Sequence, residues 1–302
     1  MTKKKIKIML GVILTSIITL LLVINLSSNN QEESKNFKVA GITKSPLYLP
    51  LFVGIEKGYF KNLDVEYVNT TGADIANTML LSKEIDVALN SLNIVLTNAE
   101  EKENRPVAIG VMTTRGGITL VSKKDFKEIE TIVSAKKGGL PNMILENSTD
   151  YKIVANLSPQ EGVTYFLNQD VDAIMAFEPF ATNLKNQGYK TKSMNELYND
   201  IPFNCLLVLE ENTNKKEYKT FLKGLLKATD YIYNTDSKEV AKLVKDIMDF
   251  KDEEVLSQII DTFKKDEVYS KDYKLSEQEY NYYLDFTKSK KVNYKLVYKK
   301  IL

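Results

Sequence analysis

Two stretches of this 302-residue chain repeat one order of elements. The first reads SPLYLPLFVGIEKGYFKNLDVEYVN from Ser45 to Asn69 and continues to LLSKEIDVALNS, which ends at Ser91. The second reads LSPQEGVTYFLNQDVDAIMAFEPFATNLKNQGY from Leu157 to Tyr189. Each holds a helical stretch, a short turn, and then an Asp inside an apolar strand: IDVALN at Ile85 to Asn90 and VDAIMAFEP at Val171 to Pro179. A chain built twice on this plan folds as two α/β units. Their strand ends and helix starts meet at a shared crevice, the place where small ligands bind in such folds.

Composition removes several function classes. Apolar residues make up 43% and charged residues 27%, so the chain is an ordinary globular one, long enough for two compact units. The net charge of +1 misleads, because residues 1–30 carry four lysines and no acid. Without them 37 basic side chains face 40 acidic ones, which leaves no basic surface for nucleic acid. The absence of histidine removes the commonest general base and metal ligand. The single cysteine, Cys205 in FNCLLVL, excludes an intramolecular disulfide and a Cys-cluster metal site, and reads as a buried inert thiol. No catalytic residues, metal ligands or cofactor are assigned.

Lys3, Lys4, Lys5 and Lys7 precede the uncharged run from Ile8 to Leu26. As a helix this run is about 28 Å long, enough to cross the hydrocarbon layer. The lysines stay cytoplasmic by the positive-inside tendency, so the body of the chain lies outside. The apolar core is longer than a secretory signal's, and Val23 to Ser28 is a poor cleavage site, so an uncleaved anchor is favoured over a cleaved signal. Residues 1–36 are the membrane segment and a polar tether.

Alternating strand and helix patterns fill the remainder. Strands are expected over 37–42, 63–68, 85–89, 106–112, 118–122, 131–135, 153–155, 171–177 and 203–209. Ser45-Pro46 opens a helix that Gly58 stops. Further helices begin at Asp74 and Ser91, cover 140–146, 159–168 and 179–187, and then fill the tail from Tyr218 to Lys288. The 118–122 strand crosses into a second unit and 203–209 recrosses. This gives one discontinuous lobe of residues 37–117 plus 203–302 and a second lobe of 118–202.

The run from Pro46 to Leu89 resembles the opening of extracytoplasmic solute-binding proteins of the nitrate, sulfonate, taurine and thiamine-precursor group of ABC importers. Its E-K-G-Y-F box is Glu56 to Phe60 and its x-D-x-A strand carries Asp86 and Ala88. The second-half pattern G-x-V-D-A…E-P…A…G is similar here through Val171, Asp172, Ala173, Glu178, Pro179, Ala181 and Gly188. The resemblance covers about Phe37 to Tyr233. It implies a periplasmic-binding-protein type II fold: two α/β lobes, two crossover segments and a ligand cleft between them. It also implies a small-molecule ligand, an ABC permease and ATPase as partners, a monomer, and an extracytoplasmic site of action. Two departures stand out. The segment from Gly138 to Tyr151 is short, so a second-half helix looks trimmed. No Cys follows the apolar run, so a lipid-modified N-terminus is unavailable.

The candidate ligand residues sit where strands give way to helices. Ser45, Pro46, Leu47 and Tyr48 begin one helix, whose free N–H groups suit a polar or anionic edge, or simply cap. Gly72 and Asp74 repeat that geometry, with Asp74 favoured as the N-cap. Ser91 and Asn93 follow a strand at the same edge. Thr113, Thr114 and Arg115 precede the crossing, and Arg115 is one of only two arginines; its fork suits sulfonate or carboxylate if it faces the cleft. Gly139, Pro141 and Asn142 form a second-half turn. Glu178 accepts from a ligand amine or caps the helix after Pro179. The function expected is capture of a small solute, sulfonate-like or pyrimidine-like, by hinge closure; an enzyme or a tethered sensor on the same fold is the alternative. One enzyme relative of this architecture, a pyrimidine synthase of thiamine biosynthesis, draws on a histidine of its own chain, and this chain has none.

Overall fold

The computed structural model describes residues 34–101, 103–135, 137–198 and 200–302. The apolar run 8–26, its lysines and most of the tether lie outside the described residues. Among the described residues no helix is long and apolar enough to cross a membrane.

The architecture is mixed α/β with two five-stranded sheets. The first contains β1 (Lys35–Ile42), β2 (Leu63–Thr70), β3 (Val87–Asn90), β4 (Pro106–Thr113) and β10 (Asn204–Leu209), in the order β2-β1-β3-β10-β4. The second contains β5 (Thr119–Ser122), β6 (Thr131–Val133), β7 (Lys152–Val154), β8 (Ala173–Ala176) and β9 (Lys190–Ser193), in the order β7-β6-β8-β5-β9. Each sheet has a parallel trio, β2-β1-β3 or β7-β6-β8, followed by one antiparallel strand and one more. Strand β10 lies in the first sheet although it follows the whole second sheet in sequence.

Helices close the parallel trios as βαβ crossovers. In the first half these are α1 (Leu49–Glu56), entered through a 3-10 turn at Pro46–Tyr48, then α2 (Ala73–Leu81) and α3 (Leu92–Thr97). In the second half they are α4 (Leu140–Ser148), α5 (Pro159–Asn168) and α6 (Phe180–Asn186). The short Gly138–Tyr151 segment still holds a nine-residue helix, α4. The tail adds α7 (Lys216–Asn234), α8 (Ser237–Val244), α9 (Glu253–Lys265), α10 (Glu277–Thr287) and α11 (Tyr294–Val297). Strand β9 and helix α11 were not expected from the sequence; KTKS has no apolar face, and only pairing with β5 defines it.

Burial follows the period-2 pattern. In the second sheet Leu120, Ile132, Ala173 and Met175 face the main core. Their neighbours Val121, Val133, Ile174 and Ala176 form a separate small core with Phe166, Ala181 and Leu184 of α5 and α6. Strands β4 and β10 are buried along their whole length, as their unbroken apolar runs require. The outer edge of β4 is covered by the tail: Ser270 N donates to Met112 O at 2.9 Å, Val111 N to Tyr273 O at 3.0 Å and Lys299 N to Ala108 O at 2.9 Å. That pairing removes an open edge from the first sheet.

Candidate functional site

Strand direction brings the helix starts together. Strand β10 is antiparallel to both β3 and β4, so β4 ends at the edge where the parallel trio gives way to its helices. Strand β5 is antiparallel to β8, with Thr119 paired to Ala176, so it begins at the matching edge of the second sheet. The return path obeys the same rule. Ser193, the end of β9, pairs with Thr119, and Asn204, the start of β10, pairs with Thr113. Both crossings therefore run between the two helix-start edges, and those edges face the same intervening space. This is the crevice outside the carboxyl ends of the strands.

On the first side, Ser45 accepts from Leu47 N at 3.2 Å and so caps the 3-10 turn. Pro46, Leu47 and Tyr48 are buried. Pro46 O accepts from Tyr269 at 2.9 Å, and burial pushes the Tyr48 hydroxyl up to about 12. The expectation for Asp74 needs correction: the N-cap of α2 is Gly72, and Asp74 is an exposed residue of the first turn. A chain extended at Gly72 and held by Thr70, whose hydroxyl donates to Gly41 O and Gly72 O, starts the helix one residue earlier than the pattern suggested. Ser91 precedes α3, and Asn93 lies in its first turn. Asn93 Oδ1 accepts from Tyr283 of α10 at 2.9 Å. Nothing local in the sequence signals this contact across 190 residues.

On the second side, Gly139 caps α4 with no side-chain bond. Pro141 follows, and Asn142 is fully buried, with no hydrogen-bond partner for either amide atom among the described residues. Ser134 Oγ, just past the end of β6, is likewise buried without a partner among the described residues. Such groups cost about 1–3 kcal/mol each when left unsatisfied, so they mark a polar requirement at this edge. Glu178 caps α6: Thr182 N donates to its Oε2 at 3.1 Å, and burial raises its carboxyl above the usual carboxylate range. It also reaches a cavity of ≈ 290 Å³ shared by β5, β9, α6 and α9.

Thr113, Thr114 and Arg115 occupy the outgoing crossing, and their polar groups are engaged there. Thr113 O accepts from Phe203 N and Thr114 O from Ile201 N, each at 2.9 Å. The Arg115 guanidinium binds Asp200 at 2.6 Å through Nε and the Asp266 carbonyl at 2.6 Å through Nη1. Two of its five N–H donors thus join the return crossing and the end of α9. Gly117 follows at φ +55°, and a Cβ there would lie 2.5 Å from the Phe263 ring, so the paired glycines serve close packing of the crossing.

The repeated Asp of the two sequence patterns is structural. Asp86 Oδ2 accepts from Lys38 N at 2.8 Å. Asp172 Oδ2 accepts from Glu130 N and Thr131 N at 3.0 and 2.9 Å. Each carboxylate staples the start of one central parallel strand to its neighbour. Cys205 is buried, and burial pushes its thiol well up, as expected for an inert thiol.

Comparison with known proteins agrees with this geometry. A family model described as "NMT1/THI5 like" matches residues 45–238. The Bacillus subtilis (strain 168) protein named "Putative binding protein YtlA" is 27% identical over 286 residues, covering 87% of this chain and 86% of that protein. Among solved structures, a ligand-binding component of an ABC-type import system from Staphylococcus aureus superposes with a TM-score of 0.70 at 14% identity, covering 88% of this chain and 97% of that one. The periplasmic aliphatic sulphonate-binding protein SsuA of Escherichia coli gives 0.59 at 16% identity, covering 76% and 83%. The two-sheet α/β architecture is that of the periplasmic-binding proteins, and the chain belongs to the NMT1/THI5-like family.

Proposed function

We propose that this protein is the extracytoplasmic substrate-binding component of an ABC importer. It captures a small solute between residues 37–117 plus 203–302 and residues 118–202, and closure of these lobes presents the loaded form to a membrane permease and its ATPase. The observation that carries this reading is topological: both crossings join the two helix-start edges, which places six helix N-termini around one space. Contacts from both lobes to one solute supply the free energy that favours closure. The family membership and the importer components among similar structures support binding rather than catalysis.

Capping loops and neutral side chains dominate the candidate contacts: Ser45, Gly72, Ser91 and Asn93 on one side, Gly139, Pro141, Asn142 and Glu178 on the other. A sulfonate-like or pyrimidine-like solute is the proposed ligand class, and the apolar run 8–26 the proposed tether, which raises the effective concentration of the loaded protein at the permease. The test is a thermal-shift screen of the full-length chain in mild detergent against sulfonates, taurine, nitrate and pyrimidine solutes. A solute at about 100 times its Kd adds about 2.7 kcal/mol of stability. A flat response across that panel would count against the reading.

A further inference from the structure

The two crossings are fastened at one point. Asp266 follows α9, which packs against α8 as α8 packs against α1 of the first half. Its Oδ2 accepts from Ser193 Oγ at 2.7 Å and from Asn195 Nδ2 at 3.3 Å, both in the segment that leaves β9 of the second sheet. Its carbonyl accepts from Arg115 of the outgoing crossing, and Arg115 in turn grips Asp200 of the return crossing. Tyr198 tightens the same knot: it donates to Asn195 Oδ1 at 2.9 Å and its oxygen accepts from Gly116 N at 3.2 Å. One residue carried by the first half thereby holds the end of the second sheet and one crossing, and reaches the other crossing through Arg115.

We propose that Asp266 is a positioning residue for solute capture: it fixes the angle between the two halves and so sets the ratio of closed to open forms. Its consequence for affinity rests on the binding-protein reading given above; its effect on the angle does not. Bonds to an ionised acceptor are about twice as strong as neutral ones. Two of them present in one arrangement and broken in the other bias that ratio by about tenfold or more. The neutral bond from Asn186 Nδ2 to Gln258 Oε1, 3.1 Å long and exposed, spans the same seam and serves as a control.

The experiment needs no solute. In the full-length chain in mild detergent, Thr78→Cys on α2 and Gln160→Cys on α5, both exposed, carry spin labels; buried Cys205 does not compete. Pulsed electron paramagnetic resonance then reads the distance between halves in this labelled parent, in Asp266→Ala, in Ser193→Ala with Asn195→Ala, and in Gln258→Ala. The expected result is a ratio between the two forms shifted about tenfold away from the parent's arrangement in the first two variants, and no change in the control, with the melting temperature of the double variant close to that of the parent. Identical distance distributions in the parent and both variants would overturn the proposal. So would a shift in Asp266→Ala that the double variant does not reproduce, because the effect would then lie in the end of α9 itself. If Asp266→Ala does not fold, the double variant decides alone. A failed solute screen leaves this measurement intact, so the two readings can fail separately.

Discussion

Asp86 and Asp172 stand at the same place in the two halves, one residue before β3 and within one residue of β8, yet the second is far more heavily engaged. Asp86 accepts one strand N–H at 2.8 Å and a long 3.5 Å bond from Tyr218. Asp172 accepts two backbone N–H groups and the Thr131 hydroxyl, and its other oxygen meets Lys124 at 2.5 Å. The first sheet lies wholly in the main core and has a tail that wraps its edge strand; the second turns one face to that core and the other to a small outer core of a few side chains. Where apolar burial is thin, a carboxylate with many donors takes over the work of registering strands. The lesson is that a repeated motif residue can keep its structural role while its energetic weight changes.

Substitution can break this comparison. Asp172→Ala leaves two part-buried N–H groups and a lysine without their acceptor. We expect a loss of about 3–4 kcal/mol in urea unfolding. Equal losses at the two sites would end the argument. Asp86→Ala, with one strand N–H at stake, is expected to cost about 1–1.5 kcal/mol in the same assay.

Acid titration sharpens it. Lys124 and the surrounding donors hold the Asp172 carboxyl well below the usual range, so its contribution is present above the unfolded value of about 4 and lost as pH falls through the folded one. The stability gap between the parent and Asp172→Asn, followed by denaturant melts, should therefore shrink between about pH 5 and pH 2. Glu178 has the opposite sign. Burial raises its carboxyl, so stability is lost as pH rises from the unfolded value of about 4 through the folded one. Glu178→Gln keeps an acceptor for Thr182 N and is expected to be neutral or stabilising by less than about 1 kcal/mol at pH 7, with a smaller effect at pH 4. Asn90 makes the corresponding neutral junction in the first half, where its Oδ1 accepts from Ser91 N at 2.8 Å, and no such pH dependence is expected of it.

Much of this was legible from residue order. Alternation placed β1, unbroken apolar runs placed β4 and β10, and Ser45-Pro46 gave a capped start, because strand faces and helix caps are local properties. The second-half pattern also located Glu178 at a helix start, and the cap it forms is local too. Asp74 misled by two positions as the cap because Gly72 can take the extended cap conformation while Thr70 pins the turn from outside. Arg115 was less legible: its fork suited an anion if it faced the cleft, and its partners, Asp200 and Asp266, lie 85 and 151 residues away, where no local pattern could place them.

The sequence alone determined that two α/β units alternate strand and helix, since burying one face of each element sets its period. Only the tertiary structure decided which polar groups are free and which are spent. Tyr283 meets Asn93 and Asp266 meets Ser193, through contacts made by segments distant in the chain, and Asn142 meets no hydrogen-bond partner among the described residues. A side chain's type states what it can bond; the fold alone states what comes within 3 Å of it.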